Sequence, residues 1–284
     1  MYTALSPGAI GVKFSTVAEA IAAAKIGGFA GVEFNPAEIA DLIDKNGAAS
    51  VKNLFADAGI RPSGFGLPTE WRGDEAKWKA DLLKLPRLAN AAAAIGGNRT
   101  MTWIMPGSND LPHDENYRFH LERFQPIAEI LKMEGVSLGL EFIGTPTLRH
   151  SQKFPFIYRI AEMLAMGEVI GRNVGLLLDC WHWHTSGGTT EEIAALKPER
   201  IVYVHVNDAP AGVPLDELQD GTRALPGETG VINAAGFLQA LRTIGYNGPV
   251  AAEPFKKELA DLATDGERLL TVRAAMNSIG LDDK

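Results

Sequence analysis

The chain of 284 residues contains one cysteine, Cys180, so no internal disulfide can form, and that usage fits a reducing compartment. No stretch approaches the ~18 uninterrupted apolar residues that a membrane-spanning helix needs. The start, Met1-Tyr2-Thr3-Ala4-Leu5-Ser6-Pro7, lacks the basic and then apolar segments of a secretory leader. Lys and Arg form no run, and the formal net charge is -8. Neutralising phosphates takes a basic surface, so neither nucleic acid nor a membrane is an expected partner. No Pro/Ser-rich linker or low-complexity tract divides the chain. The turn Lys13-Phe14-Ser15-Thr16, read as following the first strand, carries no Gly-x-Gly-x-x-Gly nucleotide fingerprint. The default expectation is a cytoplasmic protein of one domain over residues 1–284, long enough to bury a large core.

Short apolar β-type runs alternate with helical patterns throughout. Strands are expected at Ala9–Phe14, Gly31–Asn35, Arg61–Gly66, Arg99–Met105, Ser137–Ile143, Val174–Trp181, Ile201–Asn207 and Val250–Phe255. Between them, apolar residues recur at i, i+3, i+4, i+7: Val17, Ala20, Ile21 and Ala24; Phe124, Ile127, Ala128 and Leu131; Ile157, Ile160, Ala161 and Leu164; Phe237, Ala240, Leu241 and Ile244. Leu269, Val272, Met276 and Ile279 mark a last helix. Thr16, Asp74, Thr189 and Asn233 are expected N-caps. Gly27-Gly28, Gly59, Gly96-Gly97, Gly135, Gly171 and Gly280 are expected left-handed stops. Eight strand–helix units predict a closed α/β barrel of the (β/α)8 type. The longest irregular stretch, 208–230, follows the seventh strand, and a loop of that size in a compact domain is usually functional.

Each of the last four strands places one metal-competent side chain near its C-terminal end. These are Glu141 in Leu138-Gly139-Leu140-Glu141-Phe142, Asp179 in Leu176-Leu177-Leu178-Asp179, His205 in Val202-Tyr203-Val204-His205-Val206 and Glu253 in Val250-Ala251-Ala252-Glu253-Pro254. A charge at the end of an apolar strand is costly unless paired or coordinated. Strand alternation turns each toward the barrel axis while its apolar neighbours face the helices. Strands about 4.8 Å apart bring the four to one point at the C-terminal mouth, where barrel enzymes keep their sites. Any one of them alone is equally well a buried ion pair; four at matched depth point to one divalent ion. An oxygen-rich set with a single imidazole suits Mn²⁺ first, with Co²⁺, Mg²⁺, Fe²⁺ or Zn²⁺ as alternatives.

The chain resembles the xylose isomerase-like TIM barrel superfamily of sugar phosphate isomerases and epimerases. The motifs that carry the resemblance are Leu140-Glu141-Phe142, Leu178-Asp179-Cys180-Trp181-His182, Val204-His205-Val206-Asn207-Asp208, Leu225-Pro226-Gly227-Glu228-Thr229-Gly230 and Ala252-Glu253-Pro254-Phe255. They run nearly end to end and are specific for the superfamily but not for a reaction. Its members include D-tagatose 3-epimerase-like enzymes, hydroxypyruvate isomerase, inosose dehydratase and isomerase, xylose and rhamnose isomerases and endonuclease IV. The resemblance assigns the metal to Glu141, Asp179, His205 and Glu253. It makes Glu141 and Glu253 the proton-transfer pair, working through an enediolate that the metal stabilises. It gives His182 and Arg223 contacts to substrate oxygens and implies a homodimer or homotetramer.

The expected activity is therefore metal-dependent isomerisation or epimerisation of a small-molecule sugar or keto-polyol. The alternative is a lyase of the inosose-dehydratase or keto-sugar type, which begins with the same deprotonation. DNA repair of the endonuclease IV kind wants more metal-binding histidines than the six present, and a less acidic chain. Phe255 shares the inward parity of Glu253 and, with Trp103, is expected to wall the substrate; Trp71 and Trp181 are weaker candidates. Glu33, closing strand two, either orients a substrate hydroxyl or sits in a buried salt bridge. Lys13, near the end of the expected first strand, either binds an anionic group or balances Glu33. His184 rivals His182 in the same loop. His113, His120 and His150 read as surface residues or as residues packed behind the site. Cys180, facing the helices, reads as an inert buried thiol.

Overall fold

A computed structural model describes residues 1–282. Eight parallel strands close into a barrel: β1 (Tyr2–Leu5), β2 (Gly31–Glu33), β3 (Arg61–Gly66), β4 (Arg99–Ile104), β5 (Ser137–Phe142), β6 (Val174–Asp179), β7 (Ile201–Val206) and β8 (Pro249–Ala252). They neighbour one another in chain order, and β8 closes on β1 through Thr3 opposite Val250. The outer wall includes α1 (Val17–Gly27), α2 (Pro36–Asn46), α3 (Ala48–Ala58), α4 (Glu75–Ala94), α5 (His113–Met133), α6 (Pro146–His150), α7 (Ile160–Ile170), α8 (Cys180–Thr185), α9 (Thr190–Ala194), α10 (Ala234–Thr243) and α11 (Asp265–Ser278). Among the described residues no helix is long and apolar enough to cross a membrane.

Two apolar layers follow from strand alternation. Outward residues such as Leu138, Leu140, Leu176, Leu178, Val204 and Val206 pack against helix residues such as Phe55, Leu85, Phe124 and Leu241. Inward residues Ala4, Met101, Leu177, Tyr203 and Ala251 form a separate cluster inside the barrel. Two residues further along the chain from each of these stand Ser6, just past β1, Trp103, Asp179 and His205 on their strands, and Glu253, just past β8. The functional layer is thus the next tier above the packed interior.

The first strand departs from expectation. It is Tyr2–Leu5, while Gly8–Ile10 forms a 3-10 turn and Gly11 takes φ 73°, a left-handed conformation that cannot continue a strand. Ala9, Ile10 and Val12 are buried all the same, as a plug beside the barrel. The helix expected from Ile157 begins at Ile160, because Phe154–Pro155 is drawn into a short antiparallel ribbon with Gly107–Ser108. Thr16, Asp74, Thr189 and Asn233 each cap a helix through the side chain, Thr189 in a capping box. Gly171 is extended rather than left-handed.

A candidate metal centre at the mouth of the barrel

One cavity of about 350 Å³ opens at the C-terminal ends of the strands, lined by Trp103, Met105, Glu141, Ile143, Leu148, His182, Asp220, Arg223, Glu253 and Phe255. On its floor the ligand-type atoms of Glu141, Asp179, His205 and Glu253 lie within 4.8 Å of one another. Barrel register makes this possible. Trp103 stands opposite Glu141, and Asp179 opposite His205. Between Leu176 and Leu177 the β6–β7 register jumps by one residue; without the jump Asp179 would face Val204. Glu253 lies one residue beyond β8, but its N–H still donates to Val206 O at 3.0 Å, which keeps it on the arc.

Asp179 is fully buried and held on both edges. Its Oδ1 accepts from Trp181 N–H at 2.8 Å and Asn207 Nδ2 at 2.9 Å; its Oδ2 accepts from Arg223 Nη1 at 2.7 Å. Arg223 Nη1 also reaches Glu253 Oε2 at 3.0 Å, and its Nη2 reaches Asp220 Oδ1 at 3.0 Å. The guanidinium also lies over the rings of Trp181 and Phe255, 5.2 and 4.9 Å from their centroids. His205 Nδ1 is 3.2 Å from Glu253 Oε2 and 3.8 Å from Glu141 Oε1. Neither contact has hydrogen-bond geometry, so Glu141 Oε1 and both His205 nitrogens are buried without partners. Buried polar atoms are rarely left so. Three carboxylates and an imidazole converging with unused lone pairs fit a divalent cation.

The electrostatics describe a crowded anionic pocket. Burial, then the charges of Glu253 and Asp179, push the Glu141 carboxyl well above its ordinary range. Burial also opposes ionisation of Glu253, but His205 and Arg223 overcome it and hold that carboxyl down to about 2. Burial works against a charged His205, yet the carboxylates around it raise it to about 10. A divalent cation held there would take the place of that proton.

His182 is buried and Gly144 N–H donates to its Nδ1 at 3.2 Å, so the neutral ring carries its proton on Nε2. Burial lowers its pKa, which keeps the ring neutral. Gly144 must be glycine for this approach: a Cβ there would stand 2.2 Å from His182 O. Nε2 faces the cavity, 3.4 Å from Arg223 Nη2, so two donors point at one space. His184 is only half-buried and lies outside the cavity wall.

The other expected residues divide. Trp103 and Phe255 line the cavity and are 42% and 40% exposed, as walls awaiting a ligand would be. Phe255 is the one non-glycine with positive φ among the described residues, at 42°, which turns its ring over Arg223. Trp71 and Trp181 are buried packing residues whose indole N–H groups donate to Thr102 and Thr145 hydroxyls. Glu33 accepts from Ser6 Oγ at 2.9 Å and lines a neighbouring groove with Phe14 and Asn35. Burial raises its pKa. Lys13 is exposed, because the strand meant to carry it inward lies eight or more residues earlier. His120 is not a surface residue: it sits in a cage of Trp71, Phe124 and Phe156. Cys180 is fully buried against Asn207, and burial raises its pKa well up, as expected of an inert thiol.

Residues that sequence reasoning passed over include Asp220, Asn207, Gly144, Thr145 and Arg72. Arg72 lies over Trp103, 4.0 Å from the ring centroid, and donates to Trp103 O at 2.8 Å. Asn207 and Asp208 were visible inside the His205 motif; Asp220 carried no signal beyond its place near Arg223. The loop 208–230 lies over the mouth and is tied down. Asp208 accepts from the N–H groups of Ala209, Thr229, Gly230 and Ile232 at 2.7–2.9 Å, and Thr147 Oγ1 donates to Leu218 O at 2.8 Å.

A parallel eight-stranded barrel with acid/base and metal-competent groups at its C-terminal mouth defines the class: a (β/α)8 barrel enzyme. The chain belongs to the xylose isomerase-like TIM barrel family, whose profile matches residues 21–277. It is 29% identical over 217 residues to an inosose isomerase of Halalkalibacterium halodurans (strain C-125), an alignment covering 76% of this chain and 74% of that protein. A xylose isomerase domain protein from Alicyclobacillus acidocaldarius superposes with a TM-score of 0.85 at 29% identity, covering 98% of both chains. The IOLI protein, solved with a bound zinc atom, shares the fold with a TM-score of 0.78 at 19% identity, again over 98% of both chains.

Proposed function

We propose that this protein is a divalent-metal-dependent isomerase or epimerase of a sugar or keto-polyol. Inososes are the first substrates to test, given the relatives that carry the name inosose isomerase. The observation that carries the reading is the arc of Glu141, Asp179, His205 and Glu253 on consecutive strands, with the two glutamates at its ends. These four would hold the ion, Mn²⁺ first among the candidates. When bound, the ion supplies Lewis-acid stabilisation of charge developing on the substrate carbonyl oxygen.

The chain's own groups account for the rest. One glutamate takes the proton from the carbon beside the carbonyl, and the C–H electron pair passes into the enediolate double bond. The other glutamate returns a proton, to the neighbouring carbon in isomerisation or to the opposite face in epimerisation. The Nε2–H of His182 and the guanidinium of Arg223 hold substrate oxygens in place. Trp103 and Phe255 cover the apolar faces, and the tied-down loop shields the reaction from water.

The test is proton exchange. Turnover in deuterated water should place deuterium on the carbon next to the carbonyl. Glu141→Gln and Glu253→Gln keep shape and one ligand oxygen but accept no proton, so each should retain some metal while exchange collapses. Complete retention of substrate hydrogen during turnover overturns the proton-transfer reading. Appearance of ultraviolet absorbance from a dehydrated product would assign the chain to the lyases instead.

A further inference from the structure

The side chain of Asp220 hangs from the loop over the mouth into the same cavity as Glu141, His182, Arg223 and Glu253. Its Oδ1 is engaged by Arg223 Nη2 at 3.0 Å and Thr145 Oγ1 at 3.2 Å, and stands 3.7 Å from His182 Nε2. Among the described residues nothing donates to its Oδ2. The side chain is 30% exposed, whereas Arg223 and His182 beside it are 1% exposed. One carboxylate oxygen is therefore fixed by the protein, and the other is left without a donor on a side chain that lines the cavity.

The cations on the cavity wall and over its aromatic residues are engaged. Arg223, the one lysine or arginine lining the cavity among the described residues, already meets Asp179, Glu253 and Asp220. Lys256, next to Phe255, is paired with Glu228. Arg72 lies over the Trp71 and Trp103 rings. A phosphate or carboxylate entering beside Asp220 would meet a carboxylate, and the one lysine or arginine on the cavity wall among the described residues, Arg223, is already paired with three others. A hydroxyl would find an acceptor on Asp220 and a donor on His182 Nε2.

We infer that Asp220 is a specificity-determining residue: its free carboxylate oxygen accepts a hydroxyl of an uncharged polyol and turns phosphorylated or acidic substrates away. This rests on the sugar or keto-polyol reading above and adds the charge class of the substrate and the residue that sets it. The contact also couples substrate to the loop, since the same side chain joins Thr145 before α6 to Arg223 on the loop.

Asp220→Asn separates recognition from positioning. The amide oxygen can still accept from Arg223 and Thr145, while the free edge becomes a donor and loses its charge. The readout is calorimetric titration of the metal-loaded protein with myo-inositol, which lacks a carbonyl and cannot react, and with its monophosphate. The wild type is expected to bind myo-inositol at least about tenfold more tightly than the monophosphate. In Asp220→Asn the myo-inositol affinity should fall about tenfold, as for a lost charge-assisted hydrogen bond, and the preference should narrow or reverse. Asp220→Glu, which keeps the charge, should keep the preference. The inference is overturned if the asparagine variant binds both ligands as the wild type does, if the wild type binds the monophosphate as well or better, or if it binds no uncharged polyol. Deuterium exchange with an unchanged ligand preference would sink the role of Asp220 and leave the isomerase reading standing. An altered preference without exchange would do the reverse.

Discussion

At the scale of the residue, neighbours decide what a titratable side chain does. His120 and His205 are both buried, yet they are driven in opposite directions. Carboxylates around His205 raise it to about 10, whereas His120 meets aromatic rings and one backbone carbonyl, Asn116 O at 2.7 Å, and burial lowers it to about 4. That depression links folding to pH. Between about 6.5 and about 4 the unfolded chain takes a proton on this residue and the folded chain does not. Stability is therefore full above 6.5 and is lost as the pH falls, on the order of 2–3 kcal/mol by pH 4.5. Urea unfolding at pH 7 and pH 4.5 should show His120→Phe losing less stability over that interval than the wild type, by about this amount. Equal losses would show that the cage does not hold His120 neutral. The pattern around His120 gave no hint of this in the sequence: a histidine on a helix looks the same whether solvent or three rings surround it.

At the scale of the element, strands were easier to read than the segments between them. Arg61–Gly66 has the bounds expected from its composition, and six others begin within a residue of expectation. β1 was missed because four residues are too few to display alternation, while the more apolar run after it is bent by Pro7 and the left-handed Gly11. The loop 208–230 was legible as functional by length, but its anchoring was not. Asp208 gathers four backbone N–H groups from both ends of the loop, which is a tertiary arrangement of one side chain. Asp208→Ala would leave buried donors unpaired, at a local cost on the order of 3 kcal/mol. Limited proteolysis is expected to cut the variant faster between residues 209 and 229, with a raised KM for the substrate. Cleavage at the wild-type rate would mean that the Leu218 and Thr145 contacts suffice to hold the loop.

At the scale of the whole molecule, the barrel is a device for gathering charge that no single element would tolerate. Glu141, Asp179 and Glu253 repel one another around His205 and Arg223, and a divalent ion would relieve that repulsion only where the closed barrel brings the four ligand residues together. An ion that binds the folded chain alone should stabilise it by about 2.7 kcal/mol at a hundredfold excess over its Kd. Scanning calorimetry should thus show Tm rising with Mn²⁺ and falling on chelation, with Asp179→Asn blunting the response. A Tm indifferent to every divalent ion would argue against the centre.

By itself the sequence determined the strand–helix alternation, the closed α/β barrel and the four strand-end residues. Apolar periodicity and strand parity are local, and in a parallel barrel they translate directly into height and facing. Tertiary structure alone decided the rest. Register across β6 and β7 set Asp179 against His205, because a one-residue jump leaves no mark in either strand. Loop closure carried Arg223 onto Asp179, 44 residues earlier in the chain, and Asp220 onto His182, because contacts of such separation depend on how the whole barrel packs.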